Sequence, residues 1–308
     1  MSVRQQQLTA NDDHHISVYD WWADDDSMPA AVIQILHGLG EHALRYEGFA
    51  TACNERGIAV VAHNHRGHGS LENFGHFADN DGWDKVIADV LQVRQDIATR
   101  YPKVPVILMG HSMGSYIAQC FVMRHGGNNA ALILSASTLR SRAELKNGHM
   151  AARVFAKLSG KRRVSPLLNN LALGKLNDPF GPARTGYEWI TRDETEVDEY
   201  VADPLCGGRY SNQLWSDLTG CLLEISTTTA IEAVRADMPI LILGGSADPL
   251  GGQTGLTRLA ETYRQSGHDD VTLTIYPDGR HEMLRETNRD EVMNDIIDWV
   301  ELQLKPGD

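Results

Sequence analysis

Ser112 stands between two glycines in Gly110-His111-Ser112-Met113-Gly114, after the apolar run 106–109 and before a helix-like pattern. G-x-S-x-G between a strand and a helix is the setting of a serine held for nucleophilic attack. The turn is too tight for side chains on both flanks, which the glycines relieve, and it strains the serine so that its hydroxyl projects from the sheet edge. Such a hydroxyl needs a base to take its proton and a carboxylate to orient that base. Asp248 follows the apolar run 240–243, and His281 follows the run 271–276. Both therefore lie just past a strand end, where the working groups of parallel sheets collect. Asp278 is a rival acid, but it shares a short turn with His281 and is badly placed to face its ring. The plainer reading makes Asp248 a turn cap and His281 a surface histidine; three positions that fit one geometry favour the chemistry. An oxyanion needs N–H donors. Met113, just after the serine, offers one, and Leu39 in His37-Gly38-Leu39-Gly40 offers the other unless that stretch is only a glycine turn.

A sheet must bring these positions together. Strand patterns fall at residues 14–22, 31–36, 58–62, 106–110, 131–134, 239–243 and 271–276, with a turn read at 24–27. Helical patterns fall at 46–56, 257–265 and 291–304, and Trp83, Val86, Ile87, Val90, Val93 and Ile97 share one helical face. Alternation of this kind predicts a mostly parallel sheet flanked by helices. The rhythm breaks between 137 and 236, where only helical patterns, turns and charge runs appear. The expected organisation is a discontinuous core, 1–136 and 237–308, with a helical lid at 137–236.

Composition narrows the function. A net charge of −13 over 308 residues argues against nucleic acid as the partner. The first thirteen residues hold no apolar run, and no stretch is long and apolar enough to cross a bilayer. The four cysteines are scattered, which fits reduced thiols in a cytoplasmic protein. His63, His65 and His68 lie among glycines without a further ligand at metal spacing, so the expectation is a structural loop, with no metal and no cofactor. The lid is polarised. Arg140, Arg142, Lys146, Arg153, Lys157, Lys161, Arg162 and Arg163 precede an acidic run that includes Asp193, Glu194, Glu196, Asp198 and Glu199. The basic helix either makes a transient contact with a membrane surface or is a solvated face offset by the acidic run within the lid; the second is the usual fate of charge runs. Phe180, Leu205 and Trp215 are the candidate lining of an apolar acyl channel.

Several motifs together resemble a known group: His37-Gly38-Leu39-Gly40-Glu41-His42-x-x-Arg45-Tyr46, His65-Arg66-Gly67-His68-Gly69, the Ser112 motif, Asn177-Asp178-Pro179-Phe180, Asp203-Pro204-Leu205-Cys206-Gly207, and the segment from Tyr276 to Leu284. They are similar to the monoacylglycerol lipase and lysophospholipase group of α/β-hydrolases, the serine aminopeptidase S33 type. The resemblance implies an α/β-hydrolase fold with an inserted lid. It implies a serine hydrolase that cleaves carboxylic esters of lipids, a monoacylglycerol or a lysophospholipid, through an acyl-enzyme on Ser112 and without a cofactor. It places Glu41 and Arg45 near the polar end of the pocket, with His111 beside the serine, although Arg45 could equally serve as a structural ion-pair partner of Glu41. Two positions depart from the pattern: Asn64 stands where an aspartate is frequent, and Ser115 where a third glycine is frequent. An aminopeptidase remains a second reading, which would need an acidic pocket for the substrate ammonium. A non-catalytic small-molecule receptor on the same scaffold is a third. Dehalogenase and epoxide hydrolase chemistry would need an aspartate in place of Ser112. Oligomeric state is not legible.

Overall fold

The computed structural model describes residues 3–22, 27–126 and 129–305; of the turn read at 24–27, Asp24, Asp25 and Asp26 lie outside that set. Eight strands form one sheet: β1 (Arg4–Thr9), β2 (His15–Trp21), β3 (Ala31–Leu36), β4 (Ile58–His63), β5 (Val106–His111), β6 (Ala131–Ser135), β7 (Ile240–Gly245) and β8 (Val271–Tyr276). Their order is β1-β2-β4-β3-β5-β6-β7-β8. All pairings from β4 to β8 are parallel, and β2 is antiparallel to both β1 and β4. Every residue of β3, β4, β5, β6 and β7 is buried. That is why these strands read as unbroken apolar runs: both faces are covered by helices, and each buried aliphatic side chain contributes roughly 2 kcal/mol.

The flanking helices are α1 (Glu47–Glu55), α2 (Gly82–Arg100) and α3 (Met113–His125). Between β6 and β7 the chain makes five more: α4 (Arg142–Ser159), α5 (Pro166–Leu173), α6 (Glu194–Ala202), α7 (Asn212–Ile225) and α8 (Thr228–Glu232). The chain closes with α9 (Gly252–Gln265) and α10 (Arg289–Gln303). No described helix is long and apolar enough to cross a membrane. The inserted helices start on side-chain caps. Ser141, Ser165, Asp193, Ser211 and Thr227 each accept an N–H of the first turn. Helix α7 carries the insertion on the core: it packs on α4 on one side and on α3 and α2 on the other.

Strand β1 goes unmarked in the sequence because Arg4-Gln5-Gln6-Gln7-Leu8-Thr9 is polar and mostly exposed, and its pairing with β2 supplies the order that its composition does not. The charge runs of the insertion also differ from expectation. Among the described residues the basic and acidic runs do not pair with each other. Arg142 donates to the Leu223 carbonyl and Arg162 pairs with Asp79, whereas Asp193 and Glu196 pair with Arg289 and Arg285 of the core.

The turn after β5 leaves no room for a side chain at Gly114. A β-carbon on Gly114 would lie 1.9 Å from the Leu36 carbonyl oxygen, an immovable backbone atom. Gly148 lies inside α4 with only Thr219 Cγ2 at 4.0 Å from such a carbon. Gly114→Ala is therefore expected to cost about 3 kcal/mol or more, or to prevent folding. Gly148→Ala should stabilise by about 0.5–1 kcal/mol. Urea unfolding of the two variants beside the parent checks both signs.

Candidate active site

Ser112 caps α3 with φ 50° and ψ −119°. Such a conformation costs a non-glycine residue about 1–3 kcal/mol. Surrounding hydrogen bonds hold it there. Ser112 N–H donates to the Ser135 carbonyl at 2.9 Å, and the Ser112 carbonyl accepts from Ser115 N–H at 2.9 Å and Ser115 Oγ at 2.6 Å. The Ser115 hydroxyl, which replaces a third glycine, thus braces the turn from inside, with Ser137 Oγ 2.8 Å away.

Asp248 and His281 lie in the loops after β7 and β8, and Asp248 Oδ2 meets His281 Nδ1 at 2.8 Å with both side chains buried. The rival Asp278 turns away: it is exposed, and its N–H takes Ser246 Oγ at 2.9 Å. The His281 ring packs between two others, His111 at 4.9 Å and Trp189 at 5.0 Å between centroids. Burial by itself would lower the imidazole pKa. The Asp248 carboxylate outweighs it, helped by Glu282 and Glu41, so the value lies above the ordinary 6.5. Ser112 and His281 line one cavity of about 420 Å³.

The loop after β3 forms the facing wall. Leu39 lines the cavity, and Gly38 lies so close that a β-carbon there would be 3.3 Å from Ser112 Cβ. Met113 N–H belongs to the first residue of α3, a helix start whose free N–H groups favour an anion. Behind the loop, Glu41 accepts from Gly38 N–H at 2.5 Å and from Tyr46 Oη at 3.0 Å. Arg45 sets its Nε 3.5 Å from Glu41 and its Nη2 against Glu282, with its guanidinium 5.0 Å from the Tyr200 ring centroid. Burial raises both carboxyl pKa values. His111, Arg45, His37 and the Gly38 N–H reverse the effect at Glu41, while Glu282, which also feels Glu41, stays above its ordinary value. Below the loop, the His65 and His68 rings both pack tilted against His37, at 4.2 and 5.3 Å between centroids. Burial holds all three neutral, and the His65 N–H donates to His37 Nε2 at 3.0 Å.

Of the residues expected near substrate, Glu41 and His111 line the cavity; Arg45 lies behind its wall, as a buried ion-pair partner of Glu41 and Glu282. Three expected lining residues are not there. Phe180 lies under the Arg280 guanidinium at 4.3 Å, Leu205 sits outside the cavity, and Trp215 is buried in the core against Tyr210. The insertion instead contributes Asn169, Leu173, Tyr187, Trp189, Tyr200 and Tyr210. The sequence carries one faint signal for these: the aromatic cluster Tyr187, Trp189 and Tyr200 around the acidic run. It also joins the insertion to the histidine loop, since Glu282 N–H donates to the Ile190 carbonyl at 2.7 Å.

The profile of the serine aminopeptidase S33 family matches residues 27–288. The chain belongs to that family. It is similar to a monoacylglycerol lipase of Mycolicibacterium smegmatis, 28% identical over 92% of each chain. The monoglyceride lipase of Homo sapiens is 30% identical over 88% of this chain and 82% of its own. A carboxyl esterase from Bacillus coagulans has the same α/β-hydrolase fold, with a TM-score of 0.89 at 24% identity, covering 99% of this chain and 100% of that one.

The opposing terms on His281 predict a sign. Its NMR titration should centre above pH 6.5 in the parent protein. In Asp248→Asn the neutral amide removes the largest influence that raises the value, burial remains and outweighs Glu282 and Glu41, and the midpoint should fall below 6.5.

Proposed function

We propose that this chain is a lipid ester hydrolase of the monoacylglycerol lipase kind. Ser112 attacks the ester carbonyl, His281 takes its proton and returns it to the leaving alcohol, and Asp248 orients His281 and stabilises its protonated form. The Leu39 and Met113 N–H groups receive the oxyanion. Water activated by His281 then releases the acid. The observation that carries this reading is the buried Asp248–His281 pair, whose imidazole shares one cavity with a serine on a strained strand-to-helix turn. The two lipase relatives, matched over most of their length, support the substrate class. Glu41 and His111 form the polar floor where a glycerol headgroup would lie.

The family name suggests peptidase chemistry, but the cavity disfavours it. A substrate ammonium needs a free carboxylate, and both acids of the lining, Glu41 and Glu282, are bound to Arg45.

Residues 137–236 act in this reading as a lid, and its outer face as a transient membrane contact. Met150, Val154 and Leu158 form an exposed i, i+4, i+8 row on α4, and Leu167 and Leu171 extend it on α5. Leu158 is 78% exposed and Leu171 74%. Lys146, Arg153, Lys157 and Arg163 surround that row with positive charge, the combination that holds a helix at an anionic lipid surface. The four free cysteines fit a reducing cytoplasm.

Two experiments test the reading. Turnover of p-nitrophenyl esters from acetate to palmitate, of a monoacylglycerol and of a lysophospholipid should fall by about 10⁴-fold or more in Ser112→Ala and His281→Ala, with folding retained. Substantial turnover in either variant would refute the roles. Leu158→Asp with Leu171→Asp should weaken sedimentation with vesicles containing phosphatidylglycerol by about tenfold while hydrolysis of p-nitrophenyl butyrate persists. Equal sedimentation of parent and variant would remove the membrane contact.

A further inference from the structure

Most charged groups that touch the cavity are already paired. Glu41 and Glu282 share Arg45, and His281 holds Asp248. Arg209 is different. It lines the same cavity as Ser112 and His281, it is exposed, and it makes no ion pair with any described residue. An arginine at a surface ordinarily finds a carboxylate or simply solvates. Here the wall around it offers no free carboxylate, although the protein as a whole has an excess of acids.

Its backbone position is fixed. The Asn169 side chain clasps the next residue twice, accepting from Tyr210 N–H at 2.8 Å and donating to the Tyr210 carbonyl at 2.9 Å. Ser211 N–H donates to the Gly75 carbonyl at 2.9 Å. The segment 161–163 is held alongside, because Asn212 N–H and Gln213 N–H donate to the Arg163 and Lys161 carbonyls at 2.8 and 3.0 Å. Lys161 and Arg162 are engaged with Asn80 and Asp79, but Arg163 is exposed and makes no ion pair. Two arginines without ion pairs are thus carried on adjoining, anchored backbone, and one of them, Arg209, is a lining residue of the cavity.

We infer that Arg209 forms an anion subsite at the mouth of this cavity and selects esters that carry a phosphate or carboxylate close to the scissile bond. The inference rests on the ester hydrolase reading and sharpens its substrate class: among monoacyl esters, one with an anionic substituent is favoured over its uncharged counterpart. A guanidinium is suited to this because its fork of N–H groups matches both oxyanions. Since Arg209 is exposed, the discrimination is modest, about three- to tenfold.

The test compares the parent with Arg209→Ala and Arg209→Lys. One arm places the anion on the alcohol: the ratio of kcat/KM for 1-octanoylglycerol 3-phosphate to that for 1-octanoylglycerol. The other places it on the acyl side: the ratio for p-nitrophenyl hemisuccinate to that for p-nitrophenyl butyrate. A three- to tenfold fall of either ratio in Arg209→Ala, with partial recovery in Arg209→Lys, supports the subsite and says which side of the ester it reads. Unchanged ratios in both arms overturn it. Calorimetric binding of octyl phosphate and of 1-octylglycerol ether keeps the outcome independent of turnover. If every ester is inert, the hydrolase reading fails, and the subsite still stands only where Arg209→Ala weakens octyl phosphate selectively. An equal effect on the two ligands, or none, overturns it.

Discussion

One close approach governs this molecule: the backbone at Gly114 lies against the Leu36 and His37 carbonyls, with no room for a side chain between them. Helix α3 starts there, so the approach sets how near the first turn of α3 comes to the end of β3. It forces the chain at Ser112 into its positive-φ turn, since the strand must reverse into a helix within a few residues. It also brings the loop after β3 to the face of the serine, where a β-carbon at Gly38 would crowd His111 at 3.2 Å and Ser112 Cβ at 3.3 Å. The Ser112 turn, the helix N-terminus and the facing loop are therefore brought together by a single steric condition. The rest of the sheet supplies what this contact needs, parallel neighbours on both sides that keep the ends of β3 and β5 level.

A second constraint joins the histidine to that loop. Arg45 bridges Glu41, which holds the Gly38 N–H, to Glu282, the residue after His281. The arrangement buries two carboxylates on one guanidinium. Taking these charges out of water is costly, and the shared Arg45 guanidinium offsets part of that cost for both carboxylates. Loss of Arg45 would leave two buried carboxylates without their shared cation beside His111 and His281. The network therefore does more for position than for stability: it keeps the loop after β3 and the loop after β8 at a fixed separation across the cavity.

The parts of the molecule that the sequence reveals are those whose local physics is strong. Buried parallel strands must be apolar on both faces, so five of them appear as runs, and Asp248 and His281 can be located by counting past strand ends. The polar β1 gives no such signal, because its partner strand and not its composition makes it a strand. The cavity wall contributed by the insertion is equally silent. Phe180, Leu205 and Trp215 look like lining because they are large and apolar, yet burial draws Trp215 into the core beneath α7 and Arg280 covers Phe180. The wall is built instead from tyrosines, asparagines and glycines, partly on α5 and α6 and partly on the connections between helices. Whether such residues face a cavity depends on how those connections cross, and no periodic pattern records it.

The insertion thus has two faces under different rules. Its inner face is tied down by specific polar contacts: Tyr200 to the Gly40 carbonyl, Asp203 to His42, Ile190 to Glu282 and Asn169 to Tyr210. These fix the shape of the cavity to within a hydrogen bond. Its outer face, on α4 and α5, has exposed apolar side chains and cations whose side chains the folded chain leaves in solvent. An exposed apolar row gives no folding stability, so the core does not account for its presence. Helix α5 belongs to both faces, since Asn169 and Leu173 line the cavity while Leu167 and Leu171 point outward. Whatever contacts the outer face of α5 therefore acts on the same eight-residue helix that helps to shape the cavity at Ser112.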